Sequence, residues 1–166
     1  MGGIRGDRYD FRPARADDMP MLRRWLETAE VVRWWGDPAH EAALVEADLA
    51  EDGLTMLVVS HDGRPFAYAQ HYDVRTWPQP HFRDFPPGTR AIDCFIGDPA
   101  MLGRGHGSAF LRHLASHLID QGAPLVAIDP DPENERARRA YGRAGFHELG
   151  LAETGEGPAM VMVFRG

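Results

Sequence analysis

Lysine is absent from this 166-residue chain; all 18 basic residues are arginine. That excludes chemistry through a lysine Schiff base and any modification of the chain's own lysines. Cysteine is nearly absent too. Cys94 alone precludes an internal disulfide and a four-cysteine metal site, and a lone thiol suits a reducing compartment. No apolar run approaches the roughly 20 residues that cross a bilayer. The charged first twenty residues contain no apolar stretch of the kind that directs secretion. Positive charge is short as well: 18 basic against 25 acidic residues give a formal net charge of −7. The balance argues against nucleic acid and anionic membranes as partners, and for a cationic one. We expect one soluble, cytoplasmic domain spanning 1–166, a monomer or homodimer that holds no metal.

What is present is a strand, a glycine-rich turn and a helix. Arg90–Ile96 is a short apolar and aromatic run ended by Gly97-Asp98-Pro99. Glycines then alternate at Gly103, Gly105 and Gly107, with Arg104 and His106 between them. From Ser108 onward Phe110, Leu111, Leu114, Leu118 and Ile119 recur at helical spacing. Glycines let backbone approach a ligand, and the first amides of a helix have no intrahelical partner. The order therefore makes an anion site, with Arg104 a charged donor at its mouth. A P-loop would need Gly-Lys-Ser/Thr, and the dinucleotide pattern would need glycine where Phe110 stands. An acyl-CoA site asks for a basic residue and then Gly-x-Gly at the start of a long helix. Arg104-Gly105-His106-Gly107 supplies that; a glycine-rich turn without a ligand is the plain alternative.

In chain order, Tyr9–Pro13 reads as a first strand, and Asp17 or Asp18 caps a helix through Met21, Leu22, Trp25 and Leu26. Val31–Gly36 is a short helix or turn, and Pro38 opens an amphipathic helix through Leu44, Val45 and Leu49. Leu54–Ser60 and Pro65–Tyr72 are strands joined by a hairpin turn at His61–Arg64. Residues 73–89, with prolines at 78, 80, 86 and 87, form a shaped loop too long for a neutral connection. Pro124–Ile128 is a strand, Glu133–Ala144 a helix, and Gly145–Leu149 and Pro158–Phe164 the last strands. The class is mixed α/β (α+β), with a β-α-β crossover between early and late strand pairs.

A second constellation is Asp129-Pro-Asp-Pro-Glu-Asn134, followed by Arg138-Arg139-Ala140-Tyr141 and Ala144-Gly145-Phe146. Asn134 is the only asparagine, and a helix cap is its plainest use. With Arg104–Gly107 ahead of them, these residues resemble the GNAT superfamily of N-acetyltransferases. The resemblance extends over nearly the whole chain to the aminoglycoside 6′-N-acetyltransferases. It runs through Arg33-Trp34-Trp35-Gly36, Tyr68-Ala69-Gln70, Pro87–Asp93, Leu102–Gly107, Asp129–Pro132 and Glu156–Ala159. Leu102 departs from the usual glutamine or arginine, and Trp77–Asp84 differs from the family's acceptor loop.

The resemblance implies a GNAT fold: a central mixed, mostly antiparallel sheet of about seven strands, with a β-α-β acyl-CoA core and flanking helices. It implies acetyl-CoA as acyl donor, held by Phe95, Ile96, Gly97, by Leu102, Gly103, Arg104, Gly105, His106, Gly107, Ser108, and by Asn134, Ala137 and Tyr141. Pantetheine would lie like an added strand, and a backbone N–H within Phe95–Gly97 would polarise the thioester carbonyl. Trp34, Trp35, Gln70, Asp93, Asp129 and Glu156 would bind a polycationic amine. Asp93 would be the base and Tyr141 the acid at the sulfur.

Residue chemistry alone leaves alternatives standing. Asp93, a carboxylate in an apolar strand, is an expensive charge that either serves a site or pairs with an arginine such as Arg90. An ordinary aspartate is a weak base, so it works through water or by desolvation. Tyr141 hydrogen-bonds a leaving thiolate or simply packs the helix. Asp129 and Glu156 bind a polycation or are solvated loop charges; Trp34 and Trp35 are core residues, or Gln70 a strand-end residue, on the plainer view. His113 and His117 lack the glutamate of a zinc helix and read as helix-surface residues. Cys94 reads as a small buried residue rather than a nucleophile, and Ser108 as a helix cap or phosphate contact. The reading is direct transfer in a ternary complex to the 6′-amine of an aminoglycoside. The alternatives are another amine (siderophore precursor, polyamine or protein N-terminus) and a non-catalytic acyl-CoA-binding module.

Overall fold

The structure, a computed structural model, describes residues 4–6 and 8–166. Among these, strands β1 (Ile4–Gly6), β2 (Tyr9–Pro13), β3 (Leu54–His61), β4 (Arg64–Asp73), β5 (Arg90–Ile96), β6 (Val126–Ile128), β7 (His147–Thr154) and β8 (Gly157–Phe164) form a sheet ordered β1-β2-β3-β4-β5-β6-β8-β7. The helices are α1 (Met19–Leu26), α2 (Ala29–Trp35), α3 (Pro38–Asp48), α4 (His106–Asp120) and α5 (Glu135–Ala144). β5 and β6 pair in parallel, with Arg90 opposite Val126, and α4 makes the crossover between them. β1–β2, β2–β3, β6–β8 and β7–β8 are antiparallel. The mixed, mostly antiparallel sheet expected from the resemblance is present. It has eight strands rather than about seven, because β1 is only three residues long and carries too little pattern to be read. The chain divides into two compact units, Met1–Gln70 with Cys94–Arg104, and His71–Asp93 with Gly105–Gly166.

In the first unit, Met19, Leu22, Trp25 and Leu26 recur at helical spacing along α1 and bury themselves with Val58, Tyr68 and Phe95. Asp18 stands at the N-cap of α1 but does not cap it. Its carboxylate instead takes both Arg12 guanidinium nitrogens, at 2.7 and 2.8 Å, and the Arg15 amide. The Arg12 hydrogen bonds hold that carboxyl below its usual range. On α3 the buried face is Ala42 and Val45, and Leu44 is 44% exposed, so Leu44 is not part of the apolar stripe the sequence suggested. The β3–β4 turn is a two-residue Asp-Gly hairpin with positive φ at both Asp62 and Gly63, which is why glycine follows the aspartate. At Gly97 the constraint is space: a Cβ there would lie 2.2 Å from the Trp25 ring.

In the second unit, α4 buries Phe110, Leu111, Leu114, Ala115 and Leu118 and packs on α5 and β6. α5 ends at Gly145 (φ +113°), whose amide donates to the Tyr141 and Gly142 carbonyls, and a Cβ there would meet the Phe164 ring at 2.8 Å. The Gly145-Phe146 pair is thus a helix stop followed by a buried ring. The 73–89 loop closes on itself: the Val74 amide donates to the Thr89 carbonyl, Thr89 is fully buried, and Phe82 is buried and stacked on Phe85.

His71 lies buried in β4, with Nδ1 2.5 Å from an Arg90 guanidinium nitrogen. Guanidinium cannot accept, so Nδ1 must, and the ring's proton sits on Nε2. Burial first, then the Arg90 and His117 charges, lowers its pKa to about 3. Between that value and the ordinary 6.5 the unfolded chain binds a proton that the folded chain refuses, so stability is complete above pH 6.5 and declines as pH falls. The expected loss at pH 5 is about 2 kcal/mol. His71→Gln keeps an acceptor for Arg90 and should flatten the fall in thermal midpoint between pH 7 and pH 5; an unchanged slope would assign the acid sensitivity elsewhere.

Candidate active site

The first unit gathers one aromatic group and one polar head. Trp35 stands edge-on to both Tyr68 and Phe95, which stack on each other with centroids 5.3 Å apart. Trp35 and Phe95 thus pack with the core, and the Phe95 side chain is 8% exposed. The Tyr68 hydroxyl donates to Gln70 Oε1 at 2.7 Å, fixing the amide. Trp34 is tied on its own helix, its indole donating to Glu30 at 3.3 Å with Arg33 over its face. Along the end of β5 the expected oxyanion donor narrows, because the Gly97 amide already donates to the Phe66 carbonyl at 2.8 Å. Gly97 is therefore withdrawn as donor from the expected Phe95–Gly97 segment. Leu102 is half-buried, and Gly103 (φ +70°) and Arg104 are exposed.

In the second unit, α4 starts two residues earlier than its apolar pattern suggested. Its N-cap is Gly105 in the left-handed conformation (φ +82°), with no side-chain hydrogen bond to the first turn. Ser108 is inside the helix, not at its cap: its hydroxyl donates back to the Gly105 carbonyl at 3.2 Å. The early amides at His106, Gly107 and Ser108 carry the positive end of the helix without a capping side chain. Nothing lies within 4 Å of a Cβ built on Gly103 or Gly105, so these residues fit an anionic group brought close to backbone. Asn134 caps α5, its Oδ1 accepting from the Ala137 amide at 3.1 Å, which occupies that oxygen and that N–H. Tyr141 is two turns on, half-buried, its ring 6.4 Å from Phe146.

Two of the carboxylates lie within electrostatic reach of a residue the motifs did not single out. Tyr72 is 5% exposed, and its phenol is pushed above its ordinary value by burial first, then by the charges of Asp93 and Asp129. Both acids thus bear on one neutral hydroxyl. A second unforeseen residue is His81, whose Nε2 lies 2.7 Å from Asp129 Oδ2. Neither was legible: Tyr72 reads as one more strand aromatic, and His81 sits in the loop that matched no pattern. Glu156 is exposed in the β7–β8 turn, where its amide donates to the Thr154 hydroxyl. His117 is not a plain surface residue either, being half-buried and within electrostatic reach of His71.

With that geometry in hand, known proteins give it context. Residues 14–154 match the family described as "Acetyltransferase (GNAT) domain". The chain is 31% identical over 170 residues to aminoglycoside N(6′)-acetyltransferase type 1 of Klebsiella pneumoniae, covering 95% of this chain and 83% of that one. Among solved structures it superposes on AAC(6′)-Ib in complex with paromomycin and acetyl-CoA with a TM-score of 0.84, at 31% identity over 96% of this chain and 94% of that one. AAC(6′)-Ib with coenzyme A and kanamycin gives 0.83, at the same identity over 95% and 94%. The family match over most of the chain, with the 31% identity to an acetyltransferase, shows that the chain belongs to the GNAT acetyltransferase family.

Proposed function

We propose that this protein transfers acetyl from acetyl-CoA to the 6′-amine of an aminoglycoside, as one catalytic domain spanning 1–166 and working in the cytoplasm. The observation that supports the acceptor assignment is that Asp93 and Asp129 both lie within electrostatic reach of Tyr72, a local excess of negative charge that favours a substrate with several ammonium groups. The 31% identity to an aminoglycoside N(6′)-acetyltransferase over 95% of the chain supports the same reading.

Acetyl-CoA, when bound, supplies the activated acetyl group as a thioester. The amides of Gly105–Ser108 and the Arg104 side chain hold its pyrophosphate, and the Asn134 amide nitrogen is left to meet the pantetheine arm. Backbone N–H groups of Phe95 or Ile96 donate to the carbonyl oxygen on which charge develops. Asp93 takes the proton of the acceptor's ammonium, and Asp129 holds a second ammonium of the same molecule. Tyr141 donates to the sulfur as it leaves.

Incubation with acetyl-CoA and kanamycin or tobramycin should release free CoA only when both substrates are present. Spermidine or a peptide with a free N-terminus in place of the antibiotic separates other amines. Tyr141→Phe should lower kcat about tenfold with little change in either KM; an unchanged kcat would remove Tyr141 as the acid.

A further inference from the structure

His81 stands at the rim of the proposed acceptor site in an unusual setting. Its side chain is 4% exposed, with Nε2 2.7 Å from Asp129 Oδ2. A carboxylate only accepts, so Nε2 carries the proton and donates. Nδ1 is buried and has no hydrogen-bond partner. The ring packs 4.1 Å from Phe82, itself stacked on Phe85. A phenylalanine here would extend that stack without burying an unpartnered nitrogen. What histidine adds is the one hydrogen bond to Asp129. Because Nδ1 is sealed from solvent, the ring is not placed to take a substrate proton itself. Its effect runs through the carboxylate. The other oxygen, Asp129 Oδ1, has no protein partner among the described residues, and the Asp129 side chain is 22% exposed.

We infer that His81 is a positioning residue that locks one oxygen of Asp129 so that the other faces an ammonium group of the acceptor. This rests on the aminoglycoside reading above. It makes the pairing a specificity device: the carboxylate binds an amine of fixed direction, at no cost in ordering Asp129 during binding.

The test compares the wild-type enzyme with His81→Ala, His81→Gln, Asp129→Asn and the His81→Ala/Asp129→Asn double variant, in steady-state assays with kanamycin and acetyl-CoA. Thermal midpoints are measured in parallel. His81→Ala should raise the kanamycin KM about tenfold and leave the acetyl-CoA KM within about twofold. His81→Gln, whose side-chain amide can donate as Nε2 does, should recover most of that loss. In the Asp129→Asn background His81→Ala should add less than about twofold, because the two act as one unit. An unchanged kanamycin KM in His81→Ala overturns the proposal, as does an equal rise in the Asp129→Asn background. A parallel rise in both KM values with no rescue by glutamine also overturns it, since that is the pattern of a packing role. A wild-type enzyme inert toward every aminoglycoside overturns the functional reading, and this proposal with it; an active wild type with an indifferent His81→Ala overturns this proposal alone.

Discussion

Asp93→Asn is expected to lower kcat/KM for kanamycin by about a hundred- to a thousandfold, the range over which a positioned base acts. The substitution keeps the volume and hydrogen-bonding reach of the side chain, so β5 has no packing reason to change. It deletes the group proposed to take the ammonium proton and one of the two charges that bear on Tyr72. Most of the loss should fall on kcat, with the acetyl-CoA KM within about twofold of wild type, because the contacts proposed for acetyl-CoA lie on other residues. The rate should recover in part as pH rises, since more of the acceptor then arrives already deprotonated. A variant within threefold of wild type at neutral pH would take the base away from Asp93.

The second large effect belongs to Gly105. Its φ of +82° is a region where a β-branched residue is an outlier, costing about 1–2 kcal/mol in backbone strain alone. Its Cβ direction is open, with nothing within 4 Å, so a side chain there would meet no protein atom. What it would meet is any group drawn to the first amides of α4. Gly105→Val should therefore raise the acetyl-CoA KM at least about thirtyfold and weaken CoA binding by calorimetry to match, while the folded protein persists. Gly105→Ala, with less strain and a smaller obstruction, should fall between. Equal CoA affinity in wild type and Gly105→Val would mean that the helix head is not where the pyrophosphate lies.

How far the sequence could be read varied with the origin of each feature. Features made by neighbours in the chain were visible: alternating glycines before an apolar helical stripe, Asp62-Gly63 between two strands, Asn134 three residues before Ala137, Gly145 closing α5. Features made by distant partners were not. Asp18 stood in the right place for a cap, yet Arg12 on β2 claims its carboxylate. Leu44 fitted the helical pattern, yet α3 turns Ala42 and Val45 inward instead. The Gly97 amide looked available until the Phe66 carbonyl was found on it. Ser108 resembled a cap because hydroxyls commonly are; the N-cap position is held by a left-handed glycine three residues earlier, without a capping side chain. The acidic site was half legible. Asp93 and Asp129 came with motifs, whereas His81 became significant only when the 73–89 loop brought it onto Asp129, and Tyr72 only when β4 placed it within electrostatic reach of both acids.

That loop has a further consequence. Its two ends are fastened at Val74 and Thr89, and its middle is pinned by Phe82. A surface built on such a stretch arrives already shaped, and an acceptor that met it in the site proposed above would find the same relief rather than having to mould it. For the proposed reaction, single exchanges along 73–89 are then expected to alter acceptor preference while the KM for acetyl-CoA stays unchanged.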